Sequence, residues 1–167
     1  IEETEAIVLE TRDFRETSLL ITLLGRNTGK LSCLVKGARR RNSNAASVLQ
    51  PFSFVTVKMS AHGADKLATL ISVDLIKRPS YAQSLGSPGA FQRMAYAGLF
   101  AEILTLAQPN DPYSESLYDV ATKFFMGLDQ AEHPGSFAIS GYFALLAAMG
   151  YAPDLGEIRP SPVSDAE

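Results

Sequence analysis

Apolar residues recur with a period of two over the first 80 or so positions of the chain, and beyond that they follow helical spacings. Residues 5–11, 17–24 and 31–36 are runs of β-formers. Residues 52–59 alternate, with Phe52, Phe54 and Thr56 on one face and Ser53, Val55 and Val57 on the other. Residues 67–75 alternate as well, which predicts a shared face for Leu67, Thr69, Ile71, Val73 and Leu75. Turn chemistry separates these runs: Asn27-Thr28-Gly29 lies between the second and third, and His62-Gly63-Ala64-Asp65 between the fourth and fifth. The gap between the third and fourth is long, and Ala45, Ala46, Val48 and Leu49 predict a short helix within it.

Three meandering strands, a long connection with a helical turn and then a hairpin is the order of an OB-fold, a five-stranded barrel that commonly binds oligonucleotides. In an antiparallel meander the connection after the first strand and the segment after the third lie at the same end of the sheet. Arg12 and Arg15 are therefore expected near Lys36, Arg39, Arg40 and Arg41, with Arg26 and Lys30 at the opposite end.

The second half predicts helices. Ser87-Pro88 carries a capping serine and a proline for the first helical position, opening a helix over residues 88–107 with Phe91, Met94, Ala95, Leu99, Ile103 and Leu106 as its buried stripe. Asp111-Pro112 repeats the signal, with Glu115 favourable in the first turn, and the helix that follows should bury Leu117, Val120, Ala121, Phe124 and Phe125. Ser136 is the expected cap of a third helix reaching Met149 and stopped by Gly150. It is apolar on nearly all sides and is expected at the centre of the helices. The division expected is a barrel domain over residues 1–80, a helical domain over 81–155 and an irregular tail over 156–167: an α+β chain in two domains.

Charge sharpens this division. The 167-residue chain has a formal charge of −3. Residues 1–80 hold 12 Lys/Arg against 8 Asp/Glu, whereas residues 81–167 hold 3 against 10. Lys36-Gly37-Ala38-Arg39-Arg40-Arg41 concentrates the positive charge beside a glycine, which points to an anionic polymer such as nucleic acid. Phe14, between Arg12 and Arg15, is the best placed ring for stacking on a base, while Phe52 and Phe54 are expected in the core. The acidic helical half suits protein docking better than DNA. Arg93 and Lys123 are its candidate cations for holding an acidic, apolar peptide tail.

Enzyme chemistry finds little support. Gly25-Arg26-Asn27-Thr28-Gly29-Lys30 is one residue short of a phosphate loop, has Leu31 where Ser or Thr should hold a metal, and precedes a strand, so it is expected to be a hairpin turn. His62 and His133 have no cysteine or clustered carboxylate beside them. Cys33 is the single cysteine, which excludes an intrachain disulfide and a thiol-rich zinc site and fits a reduced cytoplasmic setting. Glu2, Glu3 and Glu5 stand where a signal peptide would be basic, and the uncharged stretch 135–153 falls short of the ~20 apolar residues of a membrane span. No catalytic residue, metal or cofactor is expected.

Several stretches resemble the bacterial recombination mediator family RecO. They are Ala6-Ile7-Val8-Leu9, Glu16-Thr17-Ser18, Gly29-Lys30-Leu31, Lys36-Gly37-Ala38-Arg39-Arg40, Leu49-Gln50-Pro51-Phe52 and Gly150-Tyr151-Ala152-Pro153-Asp154-Leu155, in order and with matching spacing. The resemblance implies an N-terminal OB-fold and a C-terminal helical domain. It implies binding to single- and double-stranded DNA, annealing of complementary strands and assistance in loading recombinase onto DNA coated with single-strand-binding protein. The implied partners are the mediator RecR and the acidic tail of single-strand-binding protein, in a cytoplasmic, nucleoid-associated setting. Many family members carry a four-cysteine zinc module after the last of these stretches. Here Gly156-Glu157-Ile158-Arg159-Pro160 follows and no cysteine comes after Cys33. The likeness is then to a shortened member or to a part of a longer one, and zinc binding is not carried over. The alternative function is a protein-interaction adaptor that keeps the barrel and binds little DNA.

Overall fold

The computed structural model describes residues 1–60, 67–107 and 115–151. Strands β1 (Glu2–Phe14), β2 (Ser18–Gly25), β3 (Gly29–Val35), β4 (Phe54–Ser60) and β5 (Ala68–Lys77) close into a barrel in the order β1-β2-β3-β5-β4, with helix α1 (Ala45–Val48) between β3 and β4. All pairings among the described residues are antiparallel except β3 with β5, which pair in parallel at Cys33↔Ala68 and Leu34↔Thr69. This is the OB-fold order. The turn at 62–65 lies outside the described residues.

Strand β1 outruns its expected span because it serves two partners. Its first half pairs with β4 and its second half with β2, and a bulge at Leu9 lets it bend between them. Ala6 and Val8 point into the barrel, where they join Ile21, Leu23, Cys33, Val55, Val57 and Met59. Ile7 and Leu9 point outward into a second core shared with the helices. Both faces of β1 are thus buried, so its sequence reads as a continuous apolar run with no clean alternation. Phe52 and Phe54 also belong to the second core, as expected.

Strand β5 corrects the expected face. Its register to β4 slips at Ile71 and again at Ile76. Each slip is an extra residue that shifts the inward set. Ala68, Leu70 and Val73 pack on the barrel core, while Leu67, Ile71 and Leu75 are exposed.

Helix α2 (Ser80–Gln83) links the barrel to α3 (Ala90–Ala107), α4 (Glu115–Gln130) and α5 (Pro134–Ala148). Helix α3 starts two residues later than Ser87-Pro88 predicts, because Gly89 adopts φ +72, outside helical space. Its expected stripe holds only in part: Met94 and Ile103 pack against the core, half-buried, and Ala95 is exposed. Phe91, Leu99 and Leu106 are exposed, and Ala90, Ala97, Phe100, Ala101 and Leu104 are buried. The small residues let the helix approach its neighbours closely, so that the Phe100 ring stacks on Phe124 at 4.0 Å. Helix α4 buries Leu117, Ala121, Phe124 and Phe125 as expected. The proposed start at Asp111-Pro112 lies outside the described residues, as does the tail at 156–167.

Helix α5 has His133 at its N-cap position, without a side-chain capping bond, and Pro134 in its first turn, so it starts ahead of the expected Ser136. It is not central: Ala138 and Leu145 are buried, but Ile139 and Phe143 face outward. The centre belongs to α4, whose Phe124 and Phe125 touch each other and the rings of Phe52, Phe100, Phe137 and Tyr142. No described helix is long and apolar enough to cross a membrane.

The barrel is fixed to the helices at one end. Arg26, in the β2–β3 turn, pairs with Glu5 at 2.8 Å and lies over the Tyr118 ring, and Lys30 donates to the Thr105 carbonyl at 2.8 Å. The Gly25–Lys30 segment is a hairpin turn in which Gly25 pairs with Gly29, whose φ of +66 suits glycine.

Candidate nucleic-acid interface

The other end of the barrel collects the basic residues. Strand β1 ends at Phe14, which pairs with Ser18 across a tight connection, and Arg15 takes a left-handed φ of 56 there. Leu19 at the start of β2 pairs with Val35 at the end of β3, so the chain leaving β3 emerges beside that connection. Two contacts join them. The Arg39 N–H donates to the Thr17 carbonyl at 3.0 Å, and the Arg39 guanidinium meets the Asp13 carboxylate at 2.7 Å. The structure thus brings Arg12 and Arg15 to the same end as Lys36, Arg39, Arg40 and Arg41, and leaves Arg26 and Lys30 at the opposite one.

The basic segment is held by its own alternation of buried and exposed residues. Gly37 turns the chain at φ +71, and Ala38 is 1% exposed, seated in the barrel core. Lys36, Arg39, Arg40 and Arg41 on either side are exposed. Turns closed by Arg40 N–H to the Gly37 carbonyl and Ser43 N–H to the Arg40 carbonyl lead into α1. Ala45, Ala46 and Val48 pack on the barrel core beside the fully buried Leu49. Arg78 fastens the far side, donating to the Ser53 hydroxyl at 2.7 Å and to the Ser47 and Val48 carbonyls at 2.7 and 3.0 Å. Partial burial lowers its pKa. Thr11 adds a bond to the Leu49 carbonyl at 2.7 Å. The basic loop is thereby tied down at both ends.

The cations differ in availability. Arg12 is paired with Glu10 at 2.6 Å, and Arg39 with Asp13. Arg15 lies over the Phe14 ring at 5.3 Å, and that ring is half-buried. Lys36, Arg40 and Arg41 carry no carboxylate partner among the described residues. Glu10 and Asp13 are not among the site residues expected from sequence, although Asp13 stands between Arg12 and Phe14. Arg78 was missed because nothing in Lys77-Arg78-Pro79 says that a guanidinium would reach back to α1.

The docking candidates on the helices separate. Arg93 is structural: it donates to the Leu128 and Ala131 carbonyls at 3.0 and 2.7 Å, closing the C-terminal end of α4. Lys123 is exposed at the rim of a groove of about 310 Å³ between α4 and α5, lined by Val120, Phe124, Gly127, Phe137, Gly141 and Ala144. The groove exists because Gly127 and Gly141 let the Phe137 and Phe124 rings come against the facing backbone.

Among the described residues, the candidate side chains do not gather into a catalytic centre. Cys33 lies in the barrel core, where burial pushes its thiol up to about 11, the wrong direction for a nucleophile. His133 is an exposed helix-cap position, and His62 lies outside the described residues. Among the described residues no cluster of His, Cys, Asp and Glu could hold a metal ion.

A closed five-stranded barrel with a basic end, followed by helices, defines the class: an OB-fold protein with a helical companion. Known proteins give the family. The model for the N-terminal part of recombination protein O matches residues 1–79, and that for its C-terminal part matches residues 88–157. The chain belongs to the RecO family. It is similar to the DNA repair protein RecO of Sodalis glossinidius, at 33% identity over 96% of this chain and 60% of the relative. The RecO proteins of Yersinia enterocolitica (31%, covering 96% and 64%) and Rhodopirellula baltica (30%, covering 89% and 53%) are similar too. The chain therefore spans little more than half the length of these relatives.

Proposed function

We propose that this chain binds DNA through the basic end of its barrel and acts, without enzymatic chemistry, as a recombination and repair mediator. The observation that carries the reading is the convergence of two basic segments, distant in sequence, at one end of an OB-fold, joined by the Arg39–Asp13 and Arg39–Thr17 contacts. The grip is electrostatic and blind to sequence. Lys36, Arg40 and Arg41 meet phosphates directly, Arg12, Arg15 and Arg39 reinforce them, and Phe14 offers a ring for stacking once Arg15 swings aside. Neutralising phosphates on two strands lowers their mutual repulsion, which favours annealing of complementary DNA and needs no nucleotide hydrolysis. Single- and double-stranded DNA both present the phosphates required.

Mediator work on DNA coated with single-strand-binding protein calls for contact with that protein. Its acidic, apolar tail fits the α4–α5 groove, whose apolar floor and Lys123 rim match the two halves of such a peptide. RecR is the further partner, and the setting is the cytoplasm beside the nucleoid. The division into a DNA-binding barrel over residues 1–80 and a protein-docking helical part over 81–155 follows from this reading.

The test is binding of a fluorescent single-stranded oligonucleotide across a salt series. With about five cations engaged, log K should fall against log salt with a slope near −3.5. No binding at low salt would favour the adaptor, in which the barrel keeps its shape and only the helical groove works. Annealing of complementary strands with and without single-strand-binding protein then tests the mediator step.

A further inference from the structure

Inside the basic end, two guanidinium groups are already occupied. Asp13 holds Arg39 at 2.7 Å and Glu10 holds Arg12 at 2.6 Å. Both pairs lie at the solvent surface: the side chains of Arg39 and Asp13 are 37% and 71% exposed, and those of Arg12 and Glu10 are 69% and 39% exposed. Exposed pairs of this kind are weak and readily exchanged. Their geometry is not incidental to the fold. The Arg39 backbone is pinned by its bond to the Thr17 carbonyl, and Asp13 sits in the β1–β2 ladder opposite Leu19. The fold therefore delivers a carboxylate to each guanidinium where a phosphate oxygen would otherwise bind.

We propose that Asp13, with Glu10 in a lesser role, is a built-in competitor for the DNA backbone. This rests on the reading of the barrel end as a DNA surface. Encounter begins at Lys36, Arg40 and Arg41, which have no carboxylate to release among the described residues. Arg39 and Arg12 join by exchange: the guanidinium leaves its carboxylate for a phosphate, and the carboxylate is left facing a negative strand. That residual repulsion holds affinity below what six cations would give and keeps the complex quick to dissociate. A protein that brings strands together and then leaves the duplex needs such release.

The experiment compares the whole chain with its Asp13→Asn form in binding a fluorescent 30-residue oligothymidylate, by anisotropy across a salt series. Asp13→Asn should bind about three- to tenfold tighter at low salt, the worth of freeing one exposed pair together with the repulsion it leaves. Its slope should steepen by about 0.7, because Arg39 then neutralises one phosphate with no carboxylate charge left facing the strand. Adding Arg39→Ala should erase both gains. Glu10→Gln should move in the same direction by less and serves as the second variant should Asp13→Asn fold poorly by circular dichroism. Glu3→Gln, which removes the same charge from the Lys58 pair at the other end of β1, should leave the slope unchanged. If the parent chain binds and Asp13→Asn is equal or weaker, the inference falls and the DNA reading stands. If the parent chain does not bind at low salt, the DNA reading falls and takes the inference with it.

Discussion

In the barrel, the inward positions of β1 to β4 are sealed around a small set of apolar side chains, and charged residues lie outside that set. In the helical half the burial is one-sided. An aromatic cluster centred on Phe124 and Phe125 is closed, yet α3 and α5 turn Phe91, Leu99, Leu106, Ile139 and Phe143 outward. A closed sheet has one interior and must fill it, so its inward set is dictated by geometry. A helix that is apolar on nearly every side can bury whichever face fits its neighbours best, and here small residues won on α3. The two halves therefore differ in what a large apolar residue means: in β1–β4 it marks the core, whereas α3 and α5 divide theirs, burying Phe100, Leu104 and Leu145 and exposing Phe91, Leu99, Leu106, Ile139 and Phe143.

The sharpest way to break this comparison is to cut equal side chains from both kinds of site. Phe125→Ala should cost about 3–5 kcal/mol, because it empties the centre of the ring cluster, whereas Phe91→Ala, at a residue 81% exposed, should stay within about 0.5 kcal/mol. Urea unfolding of the two variants checks this, and similar losses would mean that Phe91 is covered in solution.

A smaller effect separates two glycines. A methyl at Gly141 would run into the Phe124 ring, so Gly141→Ala should destabilise by about 1–3 kcal/mol through forced repacking. At Gly98 in α3 an added methyl meets open space, and Gly98→Ala should stabilise by about 0.5–1 kcal/mol from helix propensity. Thermal unfolding of the pair gives opposite signs if the α4–α5 seam is the tight one.

The smallest effect concerns the joint between the halves. The Asp129 carboxylate accepts from the Ser80 N–H at 2.9 Å, the Ser80 hydroxyl at 2.6 Å and the Tyr81 N–H at 3.3 Å, capping α2. Burial alone would raise its pKa, but these bonds and the nearby Arg93 outweigh it and hold the carboxyl below its ordinary value of 3.8. A depressed acid contributes stability above its unfolded pKa and loses it as pH falls through the folded value. The stability gap between the parent chain and Asp129→Asn should thus be full at neutral pH and close below about pH 4, as read by urea midpoints across pH.

These contrasts also explain what could be read from residue order. The barrel was legible because alternation in residues 52–59 and the long gap before them leave few closed sheets to choose from. The phase of β5 was not, because the slips at Ile71 and Ile76 are pairing choices that its own sequence does not mark. The buried face of α3 was invisible for a different reason: Phe and Leu residues stand on both sides of the helix, and packing against Phe124 selects the side where Phe100 and Leu104 are flanked by alanines. At the barrel end, the meander alone placed Arg12 and Arg15 beside Lys36 and Arg41. The pairing of Arg39 with Asp13 needed the third dimension, since 26 positions separate them.

The central claim is that one end of the barrel, and not its general positive charge, holds DNA. Two double variants remove the same charge from different places: Arg40→Ala with Arg41→Ala at the basic end, and Lys58→Ala with Lys77→Ala on β4 and β5. Single-stranded DNA affinity across a salt series should fall at least tenfold for the first, with a slope shallower by about 1.4, while the second keeps the parent slope. Equal losses for both would contradict the account and assign binding to net charge alone.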